Sequence, residues 1–399
     1  MPGLLATRYP TTLESSHVTS ASRDTGSVLR VALACAVLGA AATSYGGMAT
    51  AATTAPVCSV QSRPFGTLST GQPVAAYTMR NARMAVTVLD YGGIIHAIEL
   101  PDRGGVVGNV VRNLASLSDY EGNATFSKIV GRFAGRIGNS GFTLDGKRYD
   151  LVARPDGVSV HGGPGGFGSR LWAAAAAECG VDLSLDSADG ENGFPGNLRV
   201  RTSFRLDGGE LRIDYHAATD KATVINLTHH AFFNLSATST IYAHTLQVNA
   251  DSWLPTDSKR VPTGEIAPVT GALDLRAGRA LGAVANSQEE AVAANKGLDH
   301  SFVLTGSHAA RLSDRGSGRT LDVFTTEPGL VVFSANGWNG TLRDAAGSPL
   351  LKGGGVALET QHFPNSPNIP AFPSTVLRPG SPLRSTTIFR FTTADAQGR

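Results

Sequence analysis

Two histidines stand side by side in NLTHHAFFNL, residues 226–235, and a glutamate, Glu359, ends the apolar run of GVALETQHFPNSPN, residues 355–368. Three further polar clusters interrupt otherwise strand-like sequence. VGRFAGRIG, 130–138, carries Arg132 and Arg136; SVHGGPGGF, 159–167, carries His161; GLDHSFVL, 297–304, carries Asp299 and His300. Imidazoles are common zinc ligands, and His161, His229, His230 and His300 are the candidates for such a site. No HExxH or comparable ligand pair is present, so no metal is expected. Asp299 and Glu359 form, on paper, the carboxylate pair of a sugar-cleaving enzyme. Each residue also has a plain structural role open to it. An arginine in a glycine-rich stretch makes a surface ion pair, a histidine in an apolar strand is a hydrogen-bonded core residue, and Asp-His at a strand start is a turn device.

What positions these residues is a β-rich chain. MAVTVLDYGG, LRIDYHAA, HTLQVNADSWL, RTLDVFTTEPG, LVVFSANG and RSTTIFRFTT are short alternating runs bounded by turn residues. In the last, Thr387, Phe389 and Phe391 share one face, while Ile388 and Arg390 take the other. Helical periodicity is rare. A short helix is expected within 283–297, and the five alanines 173–177 favour helix by propensity. Many strands with turns every 8 to 12 residues predict an all-β fold, a large β-sandwich, as a single domain over 63–395. In a regular strand His229 and His230 face opposite ways.

The chain of 399 residues carries a formal charge of +2, without basic blocks, which argues against a nucleic-acid partner. Its N-terminus differs from the rest. VALACAVLGAAA, 31–42, follows Arg23 and Arg30 and is shorter than the roughly 20 residues that span a bilayer. It suits the apolar region of a signal peptide, and Ala49-Thr50-Ala51 offers a small-x-small cleavage pattern. The expectation is a signal peptide over 1–51, a linker over 52–62, and a secreted or periplasmic protein with no stable membrane association after cleavage. Cys58 and Cys179 would remain, as a disulfide or as two distant free thiols.

YGGIIHAIELPDRGG, LSDYEGN, GRFAGRI, VHGGPGGF, DGENGFPGN, NLTHHAFFNL, DSWLPTDSKRVPTGE, GLDHSFVL, TTEPGLVVFSAN, LETQHFPNSPN and TVLRPG resemble, in this order, the motifs of the aldose 1-epimerase (galactose mutarotase) family. The resemblance covers residues 63 to 393. It implies the mutarotase-like supersandwich fold, with a free aldohexose such as galactose or glucose in a cleft over one sheet. The implied reaction interconverts α and β anomers and needs neither cofactor nor metal. Carried over by motif, Glu359 is the general base and His230 the general acid. Arg136 and His161 are sugar contacts near the reacting centre, and Asp299 holds sugar hydroxyls. Three positions depart from the family pattern: Gly135 replaces an Asn common before the arginine, His362 replaces the Asn of LETQN, and Glu327 stands where some relatives place a substrate-contacting Gln. Three other readings compete: a hexose-6-phosphate epimerase, which needs an extra cationic subsite; a non-catalytic sugar-binding module; and the polysaccharide-cleaving enzyme above.

Overall fold

The computed structural model describes residues 58–394, and the expected signal segment lies outside the described residues. The linker expected over 52–62 is strand from Cys58 onward, because Cys58–Thr67 pairs antiparallel with Pro73–Asn81. Backbone pairing overrides the Ala/Thr/Ser composition there.

Three antiparallel sheets make the body. A five-stranded meander runs in chain order through Cys58–Thr67, Pro73–Asn81, Ala85–Leu89, Ile95–Pro101 and Val107–Asn109. A nine-stranded sheet takes the order Ala173–Ala177, Gly180–Ser187, Leu198–Asp207, Glu210–Thr219, Leu383–Thr393, Arg319–Thr325, His308–Ser313, Thr245–Val248 and Arg279–Ala280. A six-stranded sheet takes the order Phe232–Phe233, Val356–Gln361, Gly329–Phe333, Asp299–Leu304, Ala250–Trp253 and Ala267–Pro268.

The alternation in the sequence decides which face each sheet buries. In Leu383–Thr393, Thr387, Phe389 and Phe391 are buried, while Arg390 is exposed. Phe389 and Phe391 join one core with Val200 and Phe204 of the same sheet and with Phe302, Leu330, Val332 and Leu358 of the six-stranded sheet. Phe233 meets Phe389 across the layers, ring centroids 5.0 Å apart. Deleting a buried aromatic of this kind costs about 3–5 kcal/mol. The outer face of the nine-stranded sheet is charged, with Arg199 paired to Asp186 and Arg205 to Asp182.

The alanine run 173–177 is a strand, not a helix. Each alanine pairs with a residue of Gly180–Ser187, and a two-residue turn at Glu178-Cys179 closes the hairpin with Cys179 at φ 47°. Propensity is a weak prior against eight residues of ready pairing partner. A short helix does form within the expected segment, at Glu290–Ala293, and another, Leu281–Ala285, begins two residues before that segment. The thiols of Cys58 and Cys179 are free but not distant. Burial, then the neighbouring Cys179, pushes the Cys58 thiol up to about 12, and that thiol donates to the Ser59 carbonyl at 3.8 Å.

Candidate active site

The three central strands of the six-stranded sheet show how period-2 alternation builds a site. Ser301 pairs with Val331 and Val331 with Glu359; Asp299 pairs with Phe333. Asp299, Ser301, Val331, Phe333, Glu359 and Gln361 line one cavity. The residues between them, Phe302, Leu330, Val332 and Leu358, point into the core. Thr360 also faces inward, and its hydroxyl meets that of Thr387 at 2.6 Å.

His230 arrives by the same logic. Phe232 pairs with Ala357 in an antiparallel ladder. Extending that register by two residues sets His230 opposite Glu359, and the side chains meet with His230 Nε2 3.4 Å from Glu359 Oε1. Phe232, Phe333 and His161 pack around the imidazole at ring-centroid distances of 4.8, 6.0 and 6.1 Å. His229 turns the other way. Its Nε2–H donates to the Gly93 carbonyl at 3.0 Å, and its ring packs edge-on against Phe204 in the core.

A two-residue ladder brings the next pair. Val160 pairs with Arg136, so His161 follows beside Gly135. The Gly135 N–H donates to His161 Nδ1 at 3.2 Å, which leaves Nε2 of the neutral ring as the proton-bearing nitrogen. Gly162 next to it has φ +83°, and a Cβ there would lie 2.3 Å from the Arg132 nitrogen, so only glycine fits this turn. Arg136 Nη2 and Arg260 Nη1 each lie 3.5 Å from Asp299 Oδ2.

Asn226 ties these segments together. Its Nδ2 donates to the carbonyls of Ala134 and His362, at 3.1 and 3.0 Å, and its Oδ1 accepts from the His362 N–H at 3.0 Å. One buried amide therefore joins the segments carrying Arg136, His230 and Glu359.

The cavity, about 230 Å³, is smaller than the roughly 300–1,000 Å³ of drug-sized sites. A larger surface hollow of about 780 Å³ lies along the charged sheet, between Arg170, Asp186 and Asp220, away from all of these groups. The small cavity is where the titratable groups converge. Burial pushes the Glu359 carboxyl up to about 8; Asp299 adds to the shift and Arg136 opposes it. Burial holds His230 down at about 4 against the pull of Asp299, and holds His161 well below the usual imidazole range, helped by His230 and Arg136.

Five expected site residues thus share one cavity: Arg136, His161, His230, Asp299 and Glu359. Glu327 does not join them. It is buried, is not among the cavity's lining residues, and its carboxylate accepts from His362 Nδ1 at 2.5 Å. Two departures from the family pattern, Glu327 and His362, are partners of each other. Arg132 is structural: its guanidinium donates to Ser187 Oγ and to the carbonyls of Pro195 and Gly196. Sequence reasoning missed Arg260, which reaches the site from the DSWLPTDSKRVPTGE loop, and Gln361, which strand alternation two residues beyond Glu359 would have found.

Fold and site together define a β-sandwich protein with a monosaccharide-scale acid–base cavity over one antiparallel sheet. The aldose 1-epimerase family model matches residues 75–390, nearly the whole described body. The chain belongs to the aldose 1-epimerase family. It is 40% identical over 345 residues to the galactose mutarotase of Sus scrofa, covering 84% of this chain and 99% of that protein. It is 34% identical over 336 residues to the aldose 1-epimerase of Escherichia coli K12, covering 80% and 96%. Among solved structures, the galactose 1-epimerase of Lactobacillus acidophilus NCFM superposes with a TM-score of 0.75 at 28% identity, over 84% of this chain and 99% of that one.

Proposed function

We propose that this protein is a mutarotase that interconverts the α and β anomers of free aldohexoses such as galactose and glucose. The observation that carries this reading is one buried carboxylate facing one buried imidazole at 3.4 Å in a cavity the size of one sugar ring. A cyclic aldose is a hemiacetal. Opening it removes the proton from the C1 hydroxyl and adds one to the ring oxygen as the C1–O5 bond breaks. The aldehyde rotates about C1–C2 and closes on its other face, with the two proton transfers reversed.

In this reading Glu359 takes the hydroxyl proton and His230 protonates the ring oxygen. Each such group contributes about 10² to 10⁴ in rate. Between pH of about 4 and about 8 the pair carries one proton. That count is the same before and after ring opening. Only the proton's place changes, from imidazolium to carboxylic acid. Burial favours the neutral arrangement, while Arg136 beside the glutamate and Asp299 beside the histidine favour the charged one. Burial outweighs them, so carboxylic acid beside neutral imidazole is the resting arrangement, and a proton shift from Glu359 to His230 readies the pair for ring opening. The His161 Nε2–H and the Arg136 guanidinium supply donors near the reacting centre, and Asp299 supplies an acceptor for hydroxyls.

Polarimetry of freshly dissolved α-D-galactose and α-D-glucose tests the reading. The protein should hasten the approach to equilibrium rotation, with a bell-shaped pH profile falling below about 4 and above about 8. Rotation that decays at the buffer rate alone sinks it. We also infer export of the chain, supported by the apolar run 31–42 and the Ala49-Thr50-Ala51 pattern. N-terminal sequencing of protein from the source culture tests this: a start after Ala51 is expected, and retained Met1 in the cell interior would overturn it.

A further inference from the structure

Gln361 is 1% exposed, lines the cavity, and both its side-chain atoms, Oε1 and Nε2, lack a hydrogen-bond partner. Its neighbours on the strand are accounted for: Thr360 meets Thr387, and Glu359 faces His230. A buried primary amide with two donors and an acceptor idle is rare, because desolvating it without a partner is unfavourable. Asn226, by contrast, uses both ends of its amide on backbone.

We propose that Gln361 is a substrate-contacting, specificity-determining residue whose amide binds a vicinal pair of sugar hydroxyls, donating to one and accepting from the other. The proposal rests on the aldose reading above. Gln361 lies two residues from Glu359 on one strand face, about 6.7 Å along the strand. With the C1 hydroxyl at Glu359, the amide meets hydroxyls elsewhere on the same ring. A vicinal diol matches it in kind, since each hydroxyl both donates and accepts. The charged side chains Arg136 and Asp299 are one-sided, since a guanidinium only donates and a carboxylate only accepts.

Gly135 keeps this approach open. Its φ is +82°, and a Cβ there would lie 2.8 Å from Pro364 Cγ and 3.4 Å from Gln361 Nε2. Any side chain at 135 would displace Pro364 and crowd the amide nitrogen.

The test replaces the amide by an apolar group of similar length, Gln361→Met. Binding of the unreactive analogues 1,5-anhydro-D-galactitol and 1,5-anhydro-D-glucitol is measured by calorimetry, and turnover of aldoses and their monodeoxy analogues by polarimetry. Expected are a rise of about tenfold or more in Kd and KM, kcat within about threefold of wild type, and loss of discrimination against one monodeoxy sugar that the wild type disfavours. Unchanged Kd and KM in a folded variant overturn the assignment alone. Absence of all sugar binding and turnover by the wild type overturns the aldose reading and this assignment with it. Should Gln361→Met fail to fold, Gln361→Glu, which keeps length and acceptor but loses the donors, is read against the same sugars with the same outcomes.

Discussion

The two faces of the six-stranded sheet have opposite chemistry although neighbouring residues supply them. Toward the nine-stranded sheet point Leu330, Val332, Leu358 and Thr360, each packed or paired. Toward the cavity point Asp299, Glu359 and Gln361, which hold charge or unspent hydrogen bonds. His229 and His230 sharpen the contrast. Both are buried, and burial pushes both down, to about 3 and about 4. Only His230 meets another titrating side chain. Burial makes both histidines neutral; only His230 faces a carboxyl group, and the proposed mechanism uses it as the proton donor.

Substitutions can break that contrast. The largest effect is expected from His230→Asn, which should lower turnover by about 10² or more with a melting temperature near that of wild type. His229→Asn should do the reverse. It loses the bond to the Gly93 carbonyl and the contact with Phe204, costing about 2–4 kcal/mol of stability, while the folded fraction keeps its rate. Denaturant titration and polarimetry on both variants separate the two; equal rate losses with equal stability would erase the distinction.

Acid should act on stability through the buried imidazoles. His96, His229, His230 and His244 lie at about 3 to 4 in the fold against 6.5 for a free imidazole. Their contribution is full above pH 6.5 and is lost as pH falls toward those values. Glu359, raised from 4.5 to about 8, works in the opposite sense, its contribution full below 4.5 and lost as pH rises to about 8. Four groups outweigh one, so the denaturation midpoint should fall between pH 6.5 and 4.5, and fall more steeply in Glu359→Gln. A midpoint that rises over this range would contradict the neutral-histidine description. The smallest expected effect is on the core face: Thr360→Val should cost about 1 kcal/mol and leave turnover unchanged.

Much of this was legible in the sequence, for physical reasons. Glu359, His230, Asp299, Arg136 and His161 stand in polar clusters that interrupt strand-like sequence, and the family resemblance singled them out from Arg132, His229 and His300 beside them. The alternation in 384–393 gave the inner face of a strand correctly, because period 2 is a local property. What stayed hidden was non-local. Arg260 reaches Asp299 from a loop whose path no periodicity encodes. Glu327 looked like a substrate contact until His362 proved to be its partner from 35 positions away. The alanines 173–177 carry helix propensity and nothing that shows the strand waiting beside them. Arg132 and Arg136 sit in one motif, yet the first is spent on backbone carbonyls and only the second faces the cavity.

The central claim is that a proton passes through Glu359 and His230 onto and off a single sugar ring. Its most direct test is the decay of optical rotation of fresh α-D-galactose with Glu359→Gln, beside calorimetric binding of 1,5-anhydro-D-galactitol to the same variant. The account predicts a rate at least about 10² slower with binding of the analogue retained. A variant that equilibrates the anomers as fast as wild type would contradict it.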